Sequence, residues 1–108
     1  MIYLLYGSDT TKSRIKLHEL IGTLLKKRPD ASHVKVNDET FDAASLDEYI
    51  GGMGLFAQKM IVEMDNLFRN KEAKEEIISR LKDIKASDNV FVILEGELNK
   101  GDVTKFEK

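Results

Sequence analysis

Two hydrophobic patterns alternate along this chain of 108 residues. Short runs of consecutive apolar residues alternate with stretches whose apolar residues recur at the spacing of one helix face. Residues 2–6 and Val90–Leu94 are continuous apolar runs, which are typical of strands buried on both faces of a parallel sheet. Residues 60–64 form a third apolar run, and Ser32–Asn37 alternates, with two valines on one face. The pattern therefore predicts four strands.

Helical spacing fills the intervals between these strands. In the first interval, Leu17, Leu20, Ile21 and Leu24 follow the i, i+3, i+4, i+7 spacing of a one-sided helix over about residues 12–27, with Asp9 or Thr10 as the cap. Pro29 makes continuation of this helix past Arg28 unfavourable.

Two further helices are predicted. Ser45 and Glu48 form a capping box before a face of Leu46, Tyr49, Ile50 and Met53. Asn70 is the expected cap of a helix whose inner face is Ala73, Ile77, Leu81 and Ile84. Residues 102–106 resemble the start of another helix. A length of 108 residues suits a single domain. Since the chain stops inside this helical start, we expect residues 1–108 to be a fragment of a longer protein.

Strands that alternate with helices predict an α/β fold of three layers, α/β/α, around a mostly parallel sheet. Apolar residues are 42% and charged residues 33% of the chain, which is an ordinary balance for a globular domain. The absence of cysteine excludes disulfides and cysteine-based zinc sites and is compatible with a cytoplasmic location, which we expect. A net charge of −2 gives no general attraction to nucleic acid or to a membrane.

A glycine-rich segment lies between the second helix and the third strand. Gly51, Gly52 and Gly54 make it a poor helix and a poor strand, yet it carries three large apolar side chains, Met53, Leu55 and Phe56. In one interpretation all three enter the core. In the other, Leu55 and Phe56 form an apolar wedge that faces a partner, because adjacent residues of a helix or strand do not point to the same side.

A second candidate site follows the first strand, where Gly7 and Lys12-Ser13 resemble a phosphate-binding loop. The motif G-x-x-x-x-G-K-[ST] needs a second glycine and one more residue before the lysine. We therefore interpret Gly7, Lys12 and Ser13 as a degenerate nucleotide loop. Asp65 ends the third strand where an ATPase carries a magnesium-binding acid, but Asn66 beside it cannot act as a carboxylate base.

The remaining polar residues give weaker signals. His18 and His33 have no spacing to further metal ligands, so we expect surface or packing roles and no metal site. Glu95 and Glu97 follow the fourth strand without another polar group that would make them an acid–base pair. The basic group at residues 26–28 is interpreted as a solvated helix end, since no aromatic residues accompany it.

The order of these parts resembles a known family. It combines residues 3–9 (YLLYGSD), residues 55–59 (LFAQK) before a strand ending Asp65-Asn66, and Val90–Leu94 before a loop containing Lys100. This arrangement resembles the N-terminal domain of the delta subunit of the bacterial DNA polymerase III clamp loader, across essentially the whole chain. The Leu55-Phe56 pair is the most specific part of the likeness.

The resemblance implies an AAA+-like fold with a degenerate nucleotide site and no cofactor. It implies a subunit without activity of its own that helps to open the beta sliding clamp for loading onto primed DNA. Its partners would be the clamp and the other loader subunits, delta prime and gamma/tau, with DNA reached only through the complex and no membrane involved. The clamp-binding residues would be Leu55 and Phe56, with Met53 as their neighbour.

Two alternatives stay open at this stage. The stronger is a small P-loop-like ATPase or phosphotransferase that uses Lys12, Ser13 and Asp65. The weaker is a flavodoxin-like or response-regulator domain, which is disfavoured because no acidic cluster ends the first strand.

Overall fold

A computed structural model describes residues 1–51, 59–96 and 101 of the chain. Its sheet has four strands, β1 (Ile2–Leu5), β2 (Ser32–Asn37), β3 (Met60–Asp65) and β4 (Val90–Leu94). They lie in the order β1-β4-β3-β2, and all three pairings are parallel. The predicted α/β class and parallel sheet are thus confirmed.

Helices connect the strands. They are α1 (Thr10–Lys27), α2 (Ala43–Gly51), α3 (Lys71–Ser79) and α4 (Leu81–Ala86), with a short 3-10 turn at Leu67–Arg69 before α3. The helix α1 connects β1 at one side of the sheet to β2 at the other. The later connections, from β2 to β3 and from β3 to β4, each join neighbouring strands and run across the sheet in the opposite direction. Right-handed crossovers require connections of opposite direction to lie on opposite faces.

The core is divided between the two faces of the sheet. On one face, α1 packs Leu17, Ile21 and Leu24 against alternate residues of β3 and β4. On the other face, α2, α3 and α4 pack against the intervening residues, which include Val62, Met64 and Phe91. Because successive strand residues point to opposite faces, both faces of β4 are apolar and all five of its residues are buried. The described chain therefore forms three layers, α/β/α.

Three local predictions need correction. The helix α2 begins at Ala43 and its cap is Asp42, whose carboxylate accepts the Ala44 N–H at 3.1 Å, so Ser45 lies inside the helix and the capping box is wrong. The predicted third helix is two helices, because the backbone of Arg80 leaves the helical conformation at φ −115°. The strand β1 ends at Leu5, one residue earlier than expected.

Other predictions hold closely. Asp9 caps α1 and Asn70 caps α3, each through a side-chain oxygen. The four residues predicted as the inner face after Asn70 are all buried, although they are shared between α3 and α4: Ala73, Ile77, Leu81 and Ile84. Met53, Leu55, Phe56, Glu97, Lys100 and residues 102–106 lie outside the described residues.

Candidate functional sites at the two edges of the sheet

The structure describes one of the two candidate sites of the sequence and the residues that flank the other. In a parallel sheet the amino ends of all strands lie along one edge and their carboxyl ends lie along the opposite edge. Gly7 and Glu95 follow the ends of β1 and β4, and Asp65 is the last residue of β3. The glycine-rich segment precedes the beginning of β3 along the chain. Strands of this length separate the two edges by about 17–20 Å.

A cleft of about 380 Å³ opens where β1 ends and α1 begins, and Gly7, Lys12, Ser13 and Lys16 are among its lining residues. Gly7 has φ +142°, a conformation that side-chain-bearing residues rarely adopt, and its N–H donates to the Gly96 carbonyl at 2.9 Å. The structure thus brings together the three residues of the predicted degenerate loop. It joins this loop to the end of β4.

The N-terminus of α1 carries an acidic cap. The Asp9 carboxylate accepts the Lys12 N–H at 3.0 Å. Backbone amides at a helix N-terminus are the groups that bind phosphate in nucleotide sites. Here a carboxylate engages one of those amides and places negative charge where a phosphate would approach. This local chemistry disfavours phosphate binding at the cleft.

Asp65 is engaged by other residues of the domain. Its carboxylate accepts from the Arg14 guanidinium, with contacts of 3.2 and 3.0 Å to its two oxygens, and from the Asn66 amide at 2.8 Å. Asn66 has a left-handed backbone with φ 54°, which asparagine tolerates better than most residues. Asp65 thus links α1 to the sheet. A metal ion would have to compete with Arg14 for this carboxylate.

Glu95 is a buried carboxyl group beside Asp65, with an exposed fraction of 5%. Its Oε1 accepts the Phe68 N–H at 3.4 Å, while Oε2 has no hydrogen-bond partner among the described residues. Burial raises the pKa of Glu95 to about 7, against the opposing effect of the Phe68 and Leu67 amides. The group is therefore close to half-protonated at neutral pH.

At the opposite edge, the structure describes both ends of the glycine-rich segment. The turn between α4 and β4 contacts them through two side chains. Asn89 donates to the Tyr49 carbonyl at 2.6 Å and accepts the Met60 N–H at 3.0 Å. Ser87 donates to the Ile50 carbonyl at 2.8 Å. The last turn of α2 and the first residue of β3 are thus fixed to one turn.

The chain's α-amino group lies against the same turn. It donates to the carbonyls of Ser87, Asn89 and Ile84 at 2.8, 3.1 and 3.3 Å. Burial lowers the pKa of this amino group, with Asp88 acting in the opposite sense. The turn that holds the two ends of the segment is therefore itself supported by the start of the chain.

The histidines have surface positions, in agreement with their interpretation from the sequence. His18 is exposed on α1. His33 Nε2 lies 3.0 Å from Oε1 of Glu63, a buried carboxyl group on the adjacent strand. Among the described residues, no group of three histidine or acidic side chains is placed to hold a metal ion.

No protein-family model matches the chain, and no curated protein matches it significantly. Within the described residues, no helix is long and apolar enough to cross a membrane.

Sequence reasoning missed the residues that act over long sequence distances. The sequence patterns singled out none of Asn89, Ser87 and Arg14. Their partners lie between 29 and 51 residues away along the chain, so no local spacing marks them. The available signal was compositional, since an asparagine directly before the apolar strand β4 is well placed to bond backbone groups.

Proposed function

We propose that this chain is a clamp-binding domain of the DNA polymerase III delta type, which uses Leu55 and Phe56 to engage the beta sliding clamp. Met53 adjoins the pair. The domain would act in the cytoplasm as a subunit of the clamp loader, beside delta prime and gamma/tau, in the opening of the ring for placement on primed DNA. It would have no nucleotide hydrolysis and no cofactor of its own, and its core would be AAA+-like with a degenerate loop.

The observation that carries the proposal is the sequence of the glycine-rich segment together with its attachment. Two large apolar residues follow three glycines within residues 51–56. The residues on either side are held by Asn89 and Ser87 at the edge of the sheet opposite the cleft. A short segment between two fixed ends loses less conformational freedom on binding than a free one, which favours a role in recognition.

The size of the interaction is compatible with this role. Burying a leucine and a phenylalanine contributes roughly 3–6 kcal/mol. Association costs on the order of 4–15 kcal/mol in lost freedom and ordering. The pair therefore needs neighbouring contacts, for which Gln58 and the exposed Lys59 are the nearest polar candidates. To open a ring, the domain must also bind the open clamp more tightly than the closed one, since only differential affinity shifts an equilibrium.

The alternative, a small P-loop-like ATPase or phosphotransferase, rests on the cleft that Lys12 and Ser13 line. Two contacts weigh against it. The Asp9 carboxylate engages the Lys12 amide, and Arg14 engages the Asp65 carboxylate. Both contacts would have to be broken before Mg²⁺ and a triphosphate could bind in the usual way.

The proposal is tested by replacing the pair. The double substitution Leu55→Ala with Phe56→Ala should weaken binding to a purified beta clamp about 10²–10⁴-fold in surface plasmon resonance, which corresponds to the loss of roughly 3–6 kcal/mol. Ile15→Ala is the control, because it removes an exposed apolar side chain, 53% accessible, from α1. It should bind the clamp like the wild type.

Two results would contradict the proposal. If circular dichroism shows that the double variant is unfolded, the two side chains belong to the core and not to a binding surface. Undiminished clamp binding by a folded double variant would remove the pair from the interface. A thermal-shift titration with Mg²⁺ and ATP tests the alternative, because a real nucleotide site raises the melting temperature by mass action.

A further inference from the structure

We infer that Asn89 and Ser87 are positioning residues for the clamp-binding segment, which they serve by joining the end of α2 to the start of β3. The inference rests on the proposed function. It assigns a role to two residues that lie outside the segment itself. Their effect would be on affinity, through the geometry of the two points from which residues 52–58 depart.

The Asn89 side chain is suited to this role because it uses both of its polar groups. Its amide nitrogen donates to the Tyr49 carbonyl in the last turn of α2, and its oxygen accepts the Met60 N–H at the first residue of β3. These two backbone groups lie on opposite sides of the segment along the chain. One buried side chain, 5% exposed, therefore connects the two ends directly.

Ser87 extends the connection and orients Asn89. Its hydroxyl donates to the Ile50 carbonyl at 2.8 Å and accepts the Asn89 N–H at 3.1 Å. The last carbonyls of a helix have no partner within the helix, so Tyr49 and Ile50 offer acceptors that need an external donor. The turn supplies both donors. This arrangement fixes the C-terminal turn of α2 against the start of β3.

A surface contact adds little to this connection. Lys59 Nζ lies 3.5 Å from the Asp88 carboxylate, but the two side chains are 55% and 87% exposed. Exposed ion pairs contribute little to stability because water and salt screen them. The partly buried hydrogen bonds of Asn89 and Ser87 are therefore the contacts to test.

Asn70 provides a matched control. It makes the same two kinds of bond as Asn89, since its amide donates to the Asp38 carbonyl at 3.1 Å and its oxygen accepts the Ala73 N–H at 3.2 Å. It lies before α3, after the end of β3, and thus at the other edge of the sheet. Asn70→Ala and Asn89→Ala therefore remove equal numbers of bonds, but only Asn89→Ala removes the bonds that join the end of α2 to the start of β3.

The experiment measures clamp affinity and local hydrogen exchange for both variants of the full chain at a temperature where both are folded. Asn89→Ala should weaken clamp binding about tenfold, because Tyr49 and Met60 are then no longer joined and must be brought into position when the clamp binds, while Asn70→Ala stays within about twofold of the wild type. In Asn89→Ala, amide exchange should accelerate selectively in peptides that cover residues 49–60. Equal clamp affinities for the two variants would overturn the inference.

Asn89→Ala can be replaced as the test variant by Ser87→Ala, and hydrogen exchange tests the connection without the clamp. If Asn89→Ala does not fold, Ser87→Ala decides, since it removes the bonds of the hydroxyl to the Ile50 carbonyl and to the Asn89 N–H but keeps the Asn89 side chain. It should weaken clamp binding, and wild-type affinity would refute the positioning role. If the wild-type chain does not bind the clamp, the proposed function fails. The exchange measurement then stands alone, and exchange over residues 49–60 that is unchanged by Asn89→Ala refutes the connection between the two ends.

Discussion

Glu95→Gln should change how the stability of this domain depends on pH. The carboxyl group is buried beside Asp65, and one of its oxygens has no partner among the described residues. Burial raises its pKa from an ordinary value of 4.5 to about 7. Each pKa unit corresponds to about 1.4 kcal/mol, so holding this group in the folded state costs about 3 kcal/mol once the pH exceeds 7.

The sign of the effect follows from the order in which the two states release the proton. Below pH 4.5 the group is protonated in both the folded and the unfolded chain, and the cost is absent. As the pH rises from 4.5 to about 7, the unfolded chain ionises first, so the free energy of unfolding falls. Above that range the full cost applies. Glutamine is neutral throughout and should show none of this decline.

The assay is urea denaturation of wild type and Glu95→Gln at about pH 4 and about pH 8, with the free energy of unfolding extrapolated to water. The variant amide has its own cost as an unpaired buried donor, about 1–3 kcal/mol, but this cost is the same at both pH values. Between the two pH values, the wild type should therefore lose about 3 kcal/mol more than the variant. Glu75→Gln, at an exposed position of α3, should decline like the wild type. Identical pH dependence of Glu95→Gln and the wild type would show that the Glu95 carboxyl ionises as easily in the folded chain as in the unfolded one.

Two further substitutions test the fold itself. Asp9→Ala should lower the free energy of unfolding, measured by urea denaturation, by about 0.5–2 kcal/mol, because the Lys12 N–H loses its acceptor at the start of α1. An unchanged free energy of unfolding would mean that this cap does not stabilise the helix. Ile77→Ala should lower the free energy of unfolding by about 2–5 kcal/mol, because Ile77 is fully buried, whereas Ile15→Ala, at an exposed position of α1, should change it by no more than about 0.5 kcal/mol. Similar costs for the two isoleucines, measured in the same way, would contradict the assignment of the core to the helix faces that cover the sheet.

The sheet could be predicted from the sequence because its strands are unusually apolar. Val90–Leu94 is buried at every position, and such a run has few alternatives to a strand in the middle of a parallel sheet. The helix α1 was equally clear, since Leu17, Ile21 and Leu24 define one buried stripe. These features depend on local periodicity and burial, which a sequence displays directly.

Local ambiguity explains the errors in the helices. Asp42 and Ser45 are both good capping residues, and only the folded chain shows that Asp42 accepts the Ala44 N–H and thereby begins α2 earlier. The break at Arg80 leaves no trace in the apolar pattern, because Ile77 and Leu81 are buried on either side of it. Periodicity records which face is inside and does not record where the backbone leaves the helix.

The candidate sites were predictable only in part. The loop containing Gly7, Lys12 and Ser13 was found from its motif, and the structure places these residues around one cleft. The contacts that disfavour its use, from Asp9 and Arg14, depend on where α1 docks on the sheet. The role of Leu55 and Phe56 stays a prediction, because both lie outside the described residues.

The position of the α-amino group bears on how this protein should be produced for binding experiments. An affinity tag fused ahead of Met1 would convert an ammonium with three donors into an amide with one, so at most one of the carbonyls of Ser87, Asn89 and Ile84 could keep its bond. The added peptide would also lie next to the turn, at residues 87–89, that joins α2 to β3. A weak affinity measured with an N-terminal fusion would therefore reflect the tag as much as the protein.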